Sequence, residues 1–235
     1  MSGRPVIPAL GVVATALLLA GCGGPLSTLE PAGPAAASIA QLWWVMFWGS
    51  AVILLGVMGL LILAVWKPGS LTGIKPRHWI VHGGITFTSA VVLVLLVYAL
   101  FMGERLIPRP LAEQPLTVEA NGTMWIWEFS YPDMPEAEPS VGTLHIPAGQ
   151  PVDIAITSSD VIHSFWVPRL GGKMDAIPGH RNVLRLTADR PGTYRGICAE
   201  FCGVGHTGME FVVIAHEAAD YEAALMDPTR DGSAE

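Results

Sequence analysis

The chain has 235 residues, of which 51% are hydrophobic and only 14% charged, with a formal net charge of −7. So low a charged fraction places part of the chain in lipid, and the acidic balance argues against nucleic acid as a partner. The acid is concentrated: residues 111–235 hold 18 Asp and Glu against 7 Lys and Arg, whereas residues 1–110 hold 2 and 6.

Residues 1–21 read as an export signal. Arg4 is the basic start, and Ala9–Ala20 is an apolar run too short to span a bilayer. It ends Leu19-Ala20-Gly21-Cys22, which resembles the bacterial lipobox and implies that Cys22 is lipidated and becomes the new N-terminus. The plainer alternative is a buried cysteine in an uncleaved helix. The small residues before Cys22 and the flexible Gly-Gly-Pro-Leu-Ser-Thr after it favour lipidation. Residues 22–41 are expected to be a linker, because Pro25–Ser38 is rich in Pro, Ala and Ser without periodicity.

Two membrane spans follow, at about 42–66 and 79–102, forming a hairpin over 42–103. Leu42–Trp66 carries no charge and would run roughly 37 Å as a helix, enough to cross a hydrocarbon core. Trp43, Trp44 and Trp48 at one end and Trp66 at the other match the two aromatic belts of a spanning helix. The loop between the spans holds Lys67, Lys75 and Arg77, so the positive-inside rule puts it in the cytoplasm and both chain ends outside the inner membrane. His78 and His82 lie four apart at the start of the second span. They read as a proton or metal site within the membrane, or as an interfacial pair facing headgroups or a neighbouring subunit. The second reading is the more economical, since neither has an acidic neighbour in sequence.

From residue 115 the pattern changes to short alternating runs bounded by turn residues. Strands are expected at Leu116–Glu119, Met124–Phe129, Gly142–Ile146, Val152–Thr157, Ser164–Val167, Arg181–Thr187, Gly192–Ile197 and Met209–Ala215, which together suggest a β-sandwich or barrel over 115–217. Residues 218–235 are expected to form a short helix, Ala218–Met226, and a frayed tail.

The chemistry concentrates in Cys198-Ala-Glu-Phe-Cys202-Gly-Val-Gly-His206-Thr-Gly-Met209, with His163 in a separate segment. Thiolate and thioether are soft ligands and imidazole is borderline, a set that suits copper better than magnesium, calcium or manganese. Several uses remain open. Two Cys and two His could form a structural zinc site, although Met209 would then be idle. A mononuclear blue-copper site needs one Cys, leaving the other surplus. A pair of metals bridged by both sulfurs would use every donor. A Cys198–Cys202 disulfide is possible in an exported protein.

These motifs resemble those of cytochrome c oxidase subunit II. The loop matches the family's C-x-E-x-C-x3-H-x2-M pattern at every ligand position. His163-Ser-Phe-Trp-Val-Pro-Arg-Leu-Gly-Gly-Lys-Met-Asp-Ala-Ile-Pro-Gly is similar to its upstream ligand segment, and Met124-Trp-Ile-Trp-Glu-Phe-Ser-Tyr131 to its aromatic stretch. The resemblance implies a two-helix transmembrane hairpin followed by an all-β cupredoxin-like Greek-key sandwich. It implies a binuclear CuA centre bridged by Cys198 and Cys202 and capped by His163 and His206. Met209 and the backbone carbonyl of Glu200 would be weak ligands, and the Glu200 side chain would reach a magnesium at the boundary with subunit I. Trp125 would be where electrons arrive from a docked cytochrome c, with Trp127 a core neighbour. Asp133, Glu136, Glu138 and Asp160 are the candidate docking acids, Asp160 foremost because it adjoins the ligand segment. Subunits I and III and the membrane are the other implied partners.

The chain departs from the family's pattern in three places. The start of the second span lacks the glutamate that marks a proton path in many members. His180 stands where arginine is usual, and Ile126 where an aromatic is common. A copper-delivery lipoprotein, a quinol oxidase subunit and a CuA subunit of a nitric oxide reductase are the competing functions. The quinol branch lacks the copper ligands, all of which are present here. No Cys-x-x-Cys-His occurs, so an electron donor must come from outside.

Overall fold

The structure is a computed structural model that describes residues 23–104, 107 and 114–227. The export signal, Cys22 and the tail beyond 227 lie outside the described residues. The chain divides into two compact units, residues 38–107 and a second formed by residues up to 37 together with those from 108 onward.

Helix α1 (Pro34–Trp66) begins eight residues before the expected Leu42, so the second half of the expected linker is helix. Pro34 followed by three alanines is a strong helix start, since proline fits the first turn and alanine has the highest helix propensity. Helix α2 (Pro76–Glu104) is continuous, with Trp79–Thr86 wound as a π-helix. Both helices leave apolar side chains uncovered, Leu55 at 72% and Val94 at 68% exposed, with no polar face to meet water. His78 and His82 stack with ring centroids 5.4 Å apart.

The second unit is a sandwich of two five-stranded sheets among the described residues. One sheet orders β3 (Ser140–Val141), β2 (Ile126–Ser130), β1 (Leu116–Thr123), β5 (Val152–Ser158) and β8 (Asn182–Leu186). The other orders β4 (Thr143–Pro147), β10 (Glu210–His216), β9 (Gly192–Cys198), β6 (His163–Trp166) and β7 (Met174–Ala176). The pairs β1–β5 and β4–β10 are parallel and the rest antiparallel, so the chain crosses between sheets rather than meandering. All eight expected strands form. β3 and β7, of two and three residues, add edges too short to show alternation. Helix α3 (Tyr221–Met226) closes the described chain.

Period-two alternation decides what each strand points inward. Tyr194, Gly196 and Cys198 form the buried row of β9, and Phe211, Val213 and Ala215 that of β10, with Met209 in the same row just before it. Phe165 and His163 share a row on β6. A wedge of four rings joins the sheets: Trp127 and Phe129 from β2 meet Phe165 and Phe211, with the last two stacked at 4.6 Å. Gly196 makes room for this wedge, because a Cβ there would sit 2.2 Å from the Phe211 ring.

The segment before α1 belongs to the sandwich. Ala32 N–H donates to the Arg169 carbonyl (2.7 Å), and the Ala32 carbonyl accepts from Asp189 N–H (2.8 Å). Arg169 Nε donates to the Glu30 carbonyl at 3.0 Å, and Ala36 N–H to the Leu170 carbonyl at 3.3 Å. A Cβ at Gly33 would lie 2.2 Å from the Thr187 carbonyl oxygen. Residues 30–33 of the expected linker are therefore a strap paired through its backbone, continued by Ala36 in the first turn of α1, and such pairing needs no side-chain pattern and leaves none to read.

At the other end of β10, His145 is fully buried and its Nδ1 lies 2.9 Å from His216 Nε2, with the rings 13° from coplanar. An N–H of one ring faces the bare nitrogen of the other, which requires at least one ring to be neutral. Burial, then the neighbouring His145, lowers the His216 pKa, with Asp220 opposing.

Two expectations follow from this packing. Gly196→Ala should cost about 1–3 kcal/mol by overpacking against Phe211, read as a lower denaturant midpoint at an unchanged m-value. Because the folded state holds His216 neutral below its ordinary pKa of about 6.5, the unfolded chain binds more protons there, and stability should decline as pH falls from about 7 towards 5. His216→Gln should flatten that decline in thermal melts, and an identical slope would remove His216 as its cause.

Candidate metal centre

Three adjacent strands deliver the donors. β6 pairs with β9 so that Phe165 lies opposite Cys198, and β9 pairs with β10 so that Ile197 lies opposite Glu210. Cys198 N–H donates to the Met209 carbonyl and Ala199 N–H to the Ser164 carbonyl, both at 2.9 Å, tying the three strand ends together. Between Cys202 and Met209 the chain turns back tightly. Gly203 takes φ +113°, a left-handed value that favours glycine, and His206–Gly208 is one 3-10 turn.

All six expected donors converge. The Cys198 and Cys202 sulfurs are 3.8 Å apart, both thiols are free, and no disulfide joins them. Cys198 Sγ lies 3.9 Å from His163 Nδ1 and 3.2 Å from the Glu200 carbonyl oxygen. Cys202 Sγ lies 3.7 Å from both His206 Nδ1 and Met209 Sδ. The donor atoms of His163, Cys198 and Cys202 all lie within 4.8 Å of one another. Each sulfur thus has its own imidazole and its own weak donor, one set at each end of the dithiol. Metal–sulfur bonds of about 2.3 Å would let both sulfurs reach one ion at a near-tetrahedral angle, and the same holds on the opposite side.

Four of the donor residues are dry and His206 is half-buried: His163 is fully buried, Met209 is 1% exposed, and Cys198 and Cys202 are 4% and 5% exposed. Burial, reinforced by Cys198, pushes the Cys202 thiol well above its ordinary range. A coordinating cation would deprotonate it, and the donor set fits a soft or borderline metal.

Around the ligands, Trp125 is 41% exposed and its Nε1–H donates to the Cys202 carbonyl at 3.2 Å. Its indole lies on Gly205, where a Cβ would come within 2.3 Å of the ring. Trp127 is fully buried with its ring 6.1 Å from that of His163. Asp160 is turned inward. Its Oδ1 accepts from His163 Nε2 at 2.8 Å and Val161 N–H at 2.6 Å, and its Oδ2 from Met124 N–H at 2.7 Å. Burial alone would raise the Asp160 carboxyl, but the hydrogen bonds from Met124, His163 and Val161 outweigh it and hold the pKa at about 2.

The remaining expected acids do not join the site. Asp133, Glu136 and Glu138 are exposed in the loop after β2, beyond the end of that strand opposite to Trp125. Asp133 accepts there from Thr117 N–H, at the start of β1. The Glu200 side chain is exposed. The sequence reading missed the inward role of Asp160, for which the only signal is its spacing three residues before His163. It also missed Gly122, where a Cβ would lie 3.0 Å from the His163 ring.

Residues 138–216 match the family described as "Cytochrome C oxidase subunit II, periplasmic domain". Cytochrome c oxidase subunit 2 of Zea mays is 30% identical over 221 residues, covering 82% of this chain and 85% of the maize protein. This chain belongs to the cytochrome c oxidase subunit II family. Cytochrome c oxidase subunit 2 of Alkalihalophilus pseudofirmus is 32% identical over 88% of this chain and 64% of its own length. The chain thus spans less than two thirds of that relative, and about a third (32%) of the Synechocystis subunit 2. Quinol oxidase subunit 2 of Bacillus cereus is 31% identical over 88% of this chain and 74% of its own length. Among solved structures, the periplasmic domain of subunit II of cytochrome oxidase (CoxB) of Bradyrhizobium japonicum aligns at 26% identity over 49% of this chain and 94% of its own, with a TM-score of 0.45. With two uncovered apolar helices, this family member is a membrane protein.

In this chain, Gly205→Ala should push the Trp125 indole off the loop and break its bond to the Cys202 carbonyl. The Trp125 indole N–H resonance should move towards that of an exposed tryptophan, and an unmoved resonance would show that the loop yields instead.

Proposed function

We propose that this chain is the electron-transfer subunit of a haem-copper terminal oxidase. It accepts single electrons from cytochrome c at a binuclear CuA centre and passes them to haem in subunit I, where oxygen is reduced to water. The observation that carries this reading is the convergence of six donors on one largely buried cluster, with one imidazole and one weak donor beside each of two sulfurs.

Bound there, a thiolate-bridged copper pair supplies a one-electron carrier. Cys198 and Cys202 would bridge it, His163 and His206 cap it, and Met209 and the Glu200 carbonyl complete it. The protein's part is to hold these donors fixed and exclude water. Strand pairing and the left-handed Gly203 turn fix the donors, while the aromatic wedge and the buried Met209 shut out solvent. Trp125 spans from solvent to the Cys202 carbonyl, which makes it the natural path for an arriving electron.

Lipidated Cys22 and the sandwich lie on the periplasmic face of a bacterial inner membrane. The exposed Glu200 carboxylate reaches a magnesium at the subunit I boundary, and subunit III is a further partner. The acidic residues of the second half attract a basic donor, a field that raises encounter rates by about 10 to 10³ and fades with salt. A quinol donor is the second reading, since quinol oxidase subunits are similarly close relatives. The complete donor set favours cytochrome c.

The full chain in detergent, loaded with copper, should give an EPR hyperfine pattern of one electron shared equally by two copper nuclei. A mononuclear pattern, or none, contradicts the proposal. Trp125→Phe should keep that spectrum yet slow reduction by cytochrome c by about tenfold or more, about 1.4 kcal/mol of barrier. An altered spectrum would make Trp125 structural instead.

A further inference from the structure

The sequence sets Asp160 among the docking acids, but its contacts point elsewhere. We infer that Asp160 is a positioning residue whose single carboxylate fixes the His163 imidazole and the Trp125-bearing turn relative to each other. The redox consequence of this inference rests on the copper reading above; the geometric one does not.

Each oxygen has its own task. Oδ1 takes the proton of His163 Nε2 at 2.8 Å and is steadied by Val161 N–H at 2.6 Å. Ser158 Oγ also donates to it at 3.4 Å. Oδ2 takes Met124 N–H at 2.7 Å, 36 residues away in sequence. The acid therefore spends both oxygens within the protein, and its side chain is only 21% exposed.

The consequence for His163 is a chosen tautomer. With the proton on Nε2, the lone pair is on Nδ1, the atom that faces Cys198 Sγ at 3.9 Å. Gly122 lies against the ring and Trp127 meets it edge to face, so the imidazole is held along its plane as well as at its far nitrogen. A carboxylate on the far N–H also makes an imidazole a stronger donor to a metal.

The consequence for Trp125 is that it is fastened twice to the ligand set. Its turn is tied through Met124 N–H to the acid that orients His163, and its indole N–H reaches the carbonyl of Cys202. A docking role would need only negative charge at this position. A positioning role needs the length and direction of aspartate.

Asp160→Glu separates the two, since it keeps the charge but lengthens the arm, while Asp160→Ala removes both. The metal-free full chain in detergent, labelled with ¹⁵N in histidine, should show His163 as the Nε2–H tautomer. In both variants that tautomer should be lost or mixed, and after copper loading the hyperfine pattern and reduction potential should shift. In Asp160→Glu the salt dependence of reduction by cytochrome c should stay as in the wild type. The inference is overturned if Asp160→Ala keeps the wild-type tautomer, spectrum and potential, or if Asp160→Glu restores all three. A wild-type chain without a two-copper signal would remove the copper reading, yet the tautomer comparison in the metal-free chain would still decide the role of Asp160.

Discussion

The donor cluster depends on the wedge of Trp127, Phe129, Phe165 and Phe211 between the two sheets. These four rings set the separation of β2 from β6 and β10, and hence where the inward rows of the second sheet end. His163, Cys198 and Met209 are the end members of those rows. The site therefore needs no special excursion of the backbone on three of its sides. It is the place where ordinary alternation runs out of hydrophobic residues and continues with ligands. The stretch from Ala199 to Gly208 is built as a loop and one 3-10 turn, and there Gly203 and Gly205 let the chain turn and let Trp125 lie on it.

The electrostatics follow from the same burial. Burial and the neighbouring Cys198 make the Cys202 thiol resist ionisation, so it becomes a thiolate only when a cation enters. Once it does, the charge it brings is compensated by two thiolates and by Asp160, which the hydrogen bonds of Met124, His163 and Val161 keep ionised. Polar groups are used sparingly, and those that touch the ligands have partners that fix direction, whereas Trp127 Nε1 and Ser164 Oγ are buried without one. The His145–His216 pair fixes direction in the same way at the far end of β10, where a buried and a half-buried imidazole meet.

β1, β5, β9 and β10 were legible because alternation over seven or eight residues is a side-chain signal, and the shorter β4 and β6 from apolar runs between turn residues. β3 and β7 were not, since two or three residues cannot show a period. The spans were legible from uncharged length, but the start of α1 was misplaced. Residues 34–41 carry helix-forming alanines rather than the strongly apolar residues that mark lipid, and propensity is a weaker cue than hydrophobicity. The strap from Glu30 to Ala36 left no trace, because backbone hydrogen bonds to Arg169, Leu170 and Asp189 are made by any residue type.

The sequence by itself determined the kinds of donor, their spacing in the loop and the presence of a membrane hairpin before a β-sandwich. Those are local properties, written in residue type and short-range order. Only the tertiary structure decided which donor sits beside which. His163 and Cys198 are 35 positions apart, and their meeting depends on the register of β6 against β9. It also decided that Asp160 turns inward while Asp133, Glu136 and Glu138 lie past the far end of β2. An acid's role is set by the donors that surround it in space, and chain order carries no record of those.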